Sequence, residues 1–295
     1  MSHFTVAVIT DDLDKLEKLL APYQENNMGD CPREYMEFND VEEENRKSYE
    51  TDTVTRVKLE DGKLVKETDS RFAVQDNRDP WPTTRYVVPE HLERIEISIK
   101  EEYPTFEEYI ENYVGYSKDP EIGKYGYWEN PNAKWDWWTL GGRWSDSLLL
   151  KTGSRADVAQ IKDIFFIQEA IVPTGLSVEI EGFHVPASLA PTFQLAASEA
   201  SQEWGTVISG QGFYKPEYYL KRFRDKETFI NESLSFSTYA VITPDGVWHA
   251  KGEMGWFGMS SESPEEAQEF SNSYFDTFIK NANPEHYLAV VDCHI

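Results

Sequence analysis

The apolar positions of this chain form two continuous runs, one at each end. Residues 3–10 are apolar and β-branched and stop at a pair of acids, and residues 286–295 repeat the pattern, so both predict buried strands. Alternation in the second run puts Leu288, Val290, Asp292 and His294 on one face and Ala289, Val291, Cys293 and Ile295 on the other. Between the runs the period changes repeatedly. Asp11 can cap a helix carrying Leu13, Leu16, Leu19 and Leu20. Residues 53–68 predict two strands around Glu60-Asp61-Gly62, and residues 237–243 and 247–251 predict a hairpin around Pro244-Asp245-Gly246. Helices are predicted over 156–164, 189–203, 216–232 and 264–280, the last with Ser263 as cap and Pro264 at its first position. Gly141-Gly142 lies between two strand-like runs and predicts a two-residue hairpin. Chain ends in compact domains commonly lie close together, so the terminal strands are expected in one sheet. The expected class is α+β, with a mixed or antiparallel sheet containing both terminal strands. Residues 1–29 and 117–295 would form the body, and 30–116 an acidic insertion or lobe.

Composition narrows the function. The 295 residues carry 53 acidic and 28 basic side chains, a formal charge of −25, which argues against a preformed groove for a nucleic-acid backbone. A hydrophobic fraction of 40% with 14% aromatics excludes a disordered acidic chain. The two cysteines, Cys31 and Cys293, have no metal-ligand or disulfide-framework spacing. No stretch reaches the roughly 18 apolar residues of a membrane span. A soluble cytosolic protein is expected.

The acidity is uneven. Residues 34–50 hold seven acids against two bases, and residues 90–111 hold eight against two. Aromatics interleave with both blocks. Helical spacing puts Phe106, Tyr109, Ile110 and Tyr113 on one stripe, with Glu107, Glu108 and Glu111 off it. Such a surface suits a basic partner, since charge speeds encounter and apolar anchors hold the complex. The opposite sign gathers at 215–226, five bases to two acids, on what is expected to be a solvated helix face.

Two further clusters are candidates for chemistry. Pairing Leu140 with Arg143 across the Gly-Gly turn would put Asp136, Trp138, Arg143, Ser145 and Ser147 on a polar face and Trp135, Trp137, Trp144 and Leu148 on a core face. Trp138 and Arg143 could then stack as an interface patch. In the last strand Asp292 and His294 are neighbours. With His3 from the first strand and Glu253 they would supply two imidazoles and two carboxylates, enough for a divalent metal in a hydrolase. A hydrogen-bonded polar edge pinning the C-terminus is the competing reading. Cys293 and His294 point to opposite faces and cannot pair as nucleophile and base. Gly210-Gln211-Gly212 lacks the third glycine of a nucleotide loop, and no GxxxxGK[ST], GxSxG or HExxH occurs.

Four separated motifs carry a resemblance: Met1-Ser2-His3-Phe4-Thr5-Val6, the segment 130–137 with Gly141-Gly142-Arg143-Trp144, Gly252-Glu253-Met254-Gly255-Trp256, and Val291-Asp292-Cys293-His294-Ile295. In this order they resemble a family found in bacteriophages and bacterial genomes, and within it the Gabija anti-defence proteins of phages. The resemblance implies an inhibitor in the host cytoplasm that surrounds a bacterial defence nuclease complex as a homo-oligomer and blocks DNA binding and cleavage. It implies no catalysis, no cofactor, no direct nucleic-acid contact and no membrane. It carries no residue-level pattern onto this chain. A metal-dependent hydrolase using His3, Glu253, Asp292 and His294, and a structural or scaffolding module, are the alternatives.

Overall fold

The computed structural model describes residues 2–76, 83–170, 176–255 and 259–295. It divides into two compact units, Met1–Met36 with Asn130–Ile295, and Glu37–Glu129.

The larger unit is built on a mixed six-stranded sheet. His3–Thr10 pairs antiparallel with Tyr287–His294 over its whole length, from His3 opposite His294 to Thr10 opposite Tyr287. On its other side it pairs parallel with Ala240–Ile242, which pairs in turn with Trp248–Ala250. The last strand is long enough to take two further partners along its far edge, Val158–Gln160 low down and Trp137–Leu140 higher up. The fold is therefore α+β, with the two terminal strands as neighbours in its main sheet.

Both strands read as continuous apolar runs because both faces of the sheet are covered. On one face Ala7, Ile9, Leu288 and Val290 pack against Tyr274, Phe278 and Ile279. On the other, Phe4, Val6, Val8, Val291 and Cys293 pack against Leu20 and Trp135, with Leu16, Leu19 and Trp138 at the margin. The covering helix Pro264–Tyr274 begins with the expected cap: Glu266 N–H donates to Ser263 Oγ at 3.2 Å, and Ser263 N–H donates to Glu266 Oε2 at 2.7 Å. A separate apolar cluster joins the helices Ala190–Thr206 and Lys226–Leu234 through Phe193, Ala197, Phe229 and Ile230.

Four predicted elements differ. Residues 156–164 form no helix; Val158–Gln160 is drawn out as a strand because the last strand offers it an open edge, and Ile161–Asp163 makes one 3-10 turn. The helix expected over 216–232 is broken at Arg224, whose φ is 65°, and Asp225 restarts it by accepting the Thr228 N–H at 2.8 Å. Asp12 rather than Asp11 caps the first helical turn, accepting from Asp14 N–H at 3.0 Å. The Gly141-Gly142 segment is not a hairpin. Trp137–Leu140 pairs with the last strand, and the glycines, with φ of 66° and 55°, lead into a 3-10 turn over Gly142–Trp144.

In the smaller unit Glu37–Asp40 pairs with Gly126–Glu129, so the two ends of this lobe are zipped together, and both boundaries fall later in the chain than charge alone suggests. Its sheet places Thr53–Lys58 between Leu64–Val65 and Glu93–Ser98. Val54, Ile99, Phe106, Tyr109, Ile110 and Tyr125 form its core, and the Arg46 guanidinium lies 4.1 Å from the centre of the Phe106 ring. Inside this unit the buried Arg56 donates to Glu102 Oε1 at 2.9 Å, which compensates its burial.

Candidate functional site

One end of the main sheet gathers polar groups. Register puts His3, His294 and Trp137 side by side on three adjacent strands, and Thr5, Asp292 and Thr139 in the next row on the same face. Toward the other end of the strands this face is apolar and covered by helix, so these residues form the polar continuation of a core face. Asp292 is only 2% exposed. His3 Nδ1 lies 2.8 Å from Asp292 Oδ1, and since a carboxylate only accepts, that nitrogen carries the proton. Asp292 Oδ2 accepts the Arg143 backbone N–H at 2.9 Å. Both oxygens are thus committed.

That second bond explains the Gly-Gly pair. A Cβ on Gly142 would sit 2.5 Å from the Asp292 Cβ, and one on Gly141 would sit 2.5 Å from the Asp157 Cγ. Only glycine lets the turn lie directly on two carboxylates while adopting positive φ at both positions. Asp157 Oδ1 in turn accepts the Asp146 N–H at 2.6 Å. The segment 141–146 is a strap held by backbone donors on the buried Asp292 and the partly exposed Asp157.

The imidazoles form an aromatic step beside it. Trp137 stacks on His294 with ring centres 4.8 Å apart and planes 15° apart, and His3 meets both edge-on at 5.5 and 5.0 Å. Neither ring nitrogen of the buried His294 has a hydrogen-bond partner, and its Nδ1 is 3.7 Å from Asp136 Oδ2. Asp136 Oδ1 is also buried without a partner. Burial, and then the Asp136 charge, pushes the Glu25 carboxyl above its usual range.

Of the four residues considered for a metal, three converge and one does not. Glu253 is exposed, pairs with Lys134 at 3.7 Å, and lines a pocket of about 130 Å³ with Phe4, Tyr239 and Trp248. Phe4 belongs to the opposite face of the sheet from His3, which takes Glu253 away from the His3, Asp292 and His294 group. Among the described residues no group of three or more His, Cys, Asp or Glu could hold a metal ion. Asp292 pins the C-terminus and the strap instead. Cys293 is sealed in the core, where burial holds its thiol well above its normal value, with the Asp292 charge adding to the effect.

The interface candidates are also rearranged. Trp138 is half-buried against the core that holds Phe4 and Trp135, and among the described residues no cation–π contact joins it to Arg143, whose side chain is exposed. Trp137, expected on a core face, is 44% exposed. Phe106 and Tyr109 point into the lobe's own core and cannot anchor a partner. Tyr113 is exposed and stacks on Tyr109 at 5.6 Å. Glu107 and Glu108 face solvent, and Glu111 accepts from the Tyr125 hydroxyl at 2.9 Å.

Pattern placed Asp136 on a polar face without giving it a role, and did not single out Asp157. Asp136 sits between two tryptophans, a signal that was visible, whereas Asp157 acquires its role only through its distance from Gly141. Compared with known proteins, the chain matches no family model, no curated protein and no solved structure.

Proposed function

We propose that the protein is a phage-encoded, non-catalytic inhibitor of a bacterial defence nuclease complex of the Gabija type, acting in the host cytoplasm as a homo-oligomer that occludes the complex's DNA-binding surface. The observation that carries this reading is the state of the lobe's carboxylates. Glu43, Glu44, Glu107 and Glu108 are exposed, and among the described residues none forms an ion pair. The lobe holds 24 acids against 13 bases in 93 residues, a net charge of −11, so its field is not neutralised by its own surface. A nuclease must present a basic groove to DNA, and a folded acidic surface competes for it through the same electrostatics. The field reaches about 8 Å at physiological salt, enough to steer an encounter at close range. The four motifs support the choice of target.

The test is a DNA-cleavage assay with the purified defence complex. Cleavage is expected to fall linearly to zero at a fixed molar ratio of added protein. Changing Glu43, Glu44, Glu107 and Glu108 together to Gln should slow association by roughly tenfold and flatten its salt dependence, while dissociation changes little. Undiminished cleavage at excess protein, with no co-purification, would remove the reading.

A further inference from the structure

Two apolar clusters of the larger unit stay separate where the short strand Leu148–Leu149 runs between them. Leu148 packs with Ile164 beside the main sheet, and Leu149 packs with Phe193 and Leu234 among the helices. A pocket of about 160 Å³ opens at this seam, walled by Leu149, Ile164, Phe165, Phe193, Leu234 and Phe236. An apolar cavity of about 150 Å³ is enough to hold a benzene ring. Phe165 and Phe193 meet edge to face in the wall, with ring centres 5.5 Å apart. Arg155 is the only charged residue of the lining. Antiparallel pairing sets it opposite Leu149, on the same face of a two-stranded ribbon. Its Nη1 donates to the Asp146 carbonyl at 3.1 Å, and among the described residues it forms no ion pair. Asp146 ends the Gly-Gly strap, at φ of 59° with its own N–H on Asp157. The strap thus holds the guanidinium and leaves its Nε and Nη2 donors, a parallel pair, uncommitted.

We infer that this pocket binds a small monocarboxylate whose apolar body is about the size of one aromatic ring. The inference goes beyond the lobe-based reading and does not depend on which complex is the target. The apolar body fills the seam between the two clusters, and the carboxylate takes the free donor pair of Arg155 side-on. The other polar groups agree with an anion held at this one point. The hydroxyls of Ser147, Ser233 and Ser235 donate to the carbonyls of Trp144, Phe229 and Asn231, so they present lone pairs and no proton to a ligand. An amine would meet the guanidinium with like charge. A phosphate dianion would need a second cation, and none lines the pocket.

The full chain can be titrated with phenylacetate while the methyl signals of its Leu, Ile and Val side chains are followed by NMR. Saturable shifts are expected at Leu149, Ile164 and Leu234, with Val6 and Val57, in other cores, unmoved. Phenylacetamide, of the same shape without the charge, should bind about tenfold more weakly, the difference expected for a charge-assisted hydrogen bond. Arg155→Gln, at an exposed position where folding is not at risk, should bring acid and amide to about equal affinity. Ala196→Leu, which fills the half-buried wall of the pocket and keeps the charge, should weaken both probes by about tenfold or more. Absence of saturable shifts, equal binding of acid and amide to the unaltered protein, an acid preference that survives Arg155→Gln, or unchanged affinity in Ala196→Leu would each overturn the assignment. Because the readout needs no defence complex, failure here leaves the DNA-competition test untouched, and the reverse holds as well.

Discussion

Asp292 in the larger unit and Glu108 in the lobe are both carboxylates close to aromatic side chains, yet the fold uses them in opposite ways. Asp292 is buried and spends both oxygens on donors from distant parts of the chain, His3 and the Arg143 backbone. Glu108 is exposed, one position before the buried Tyr109, and forms no ion pair among the described residues. The same contrast separates Asp157, held beneath Gly141, from Glu43 and Glu44 at the start of a lobe helix. In the larger unit a set of acids is structural and fixes chain ends and a strap. In the lobe the aromatics supply most of the structure, through the cluster of Phe106, Tyr109 and Tyr125, and while Glu102 holds Arg56 and Glu111 the Tyr125 hydroxyl, Glu43, Glu44, Glu107 and Glu108 are left for solvent or a partner. A negative charge thus carries no single meaning in this chain; its neighbours decide whether it holds the fold or faces outward.

The largest effects should come from the aromatic cores, which both units share. Trp135→Ala in the body and Phe106→Ala in the lobe should each lose about 3–5 kcal/mol, seen as an early denaturation midpoint by fluorescence or circular dichroism. If Phe106→Ala left stability intact and weakened partner binding instead, the lobe aromatics would be anchors after all and the contrast would fail. Glycines give the next test. Gly142→Ala forces a Cβ onto Asp292 in a backbone with φ of 55°, and should lose about 2–4 kcal/mol. Gly62→Ala in the lobe has φ of 84° but open space around it, so only the conformational term of about 1–2 kcal/mol applies. Equal losses would mean that the strap is not seated on its carboxylate. The smallest pair compares the acids themselves. Asp292→Asn sets an amide N–H against a backbone N–H and should lose about 1–3 kcal/mol, measured by urea unfolding, whereas Glu108→Gln should stay within about 0.5 kcal/mol.

Much of the frame was legible from pattern. The terminal strands, the alternation that separates Leu288 and Val290 from Val291 and Cys293, and the Ser263 cap all follow from local spacing, because a strand covered on both faces and a capped helix leave signatures within a few residues. The convergence of His3, Asp292 and His294 was legible too, once the two strands were placed side by side. Other assignments failed where a distant segment outbid local preference. Residues 156–164 carry an acceptable helical spacing, but the open edge of the last strand draws Val158–Gln160 into the sheet. The Gly-Gly pair looks like a hairpin turn to any local rule, while its real partner is Asp292, 150 residues further on.

Periodicity and residue type by themselves determined the class of fold, the pairing of the chain ends and the acidity of the insertion, since each depends on properties spread over many neighbouring residues. Only the tertiary structure decided which individual side chains are available. It buried Phe106 and Tyr109, exposed Trp137, removed Glu253 from the histidines and left Asp136 Oδ1 without a hydrogen-bond partner. The physical reason is that burial and hydrogen-bond satisfaction are set by what packs against a residue from elsewhere in the chain, and a strand or helix pattern names the face without naming what covers it.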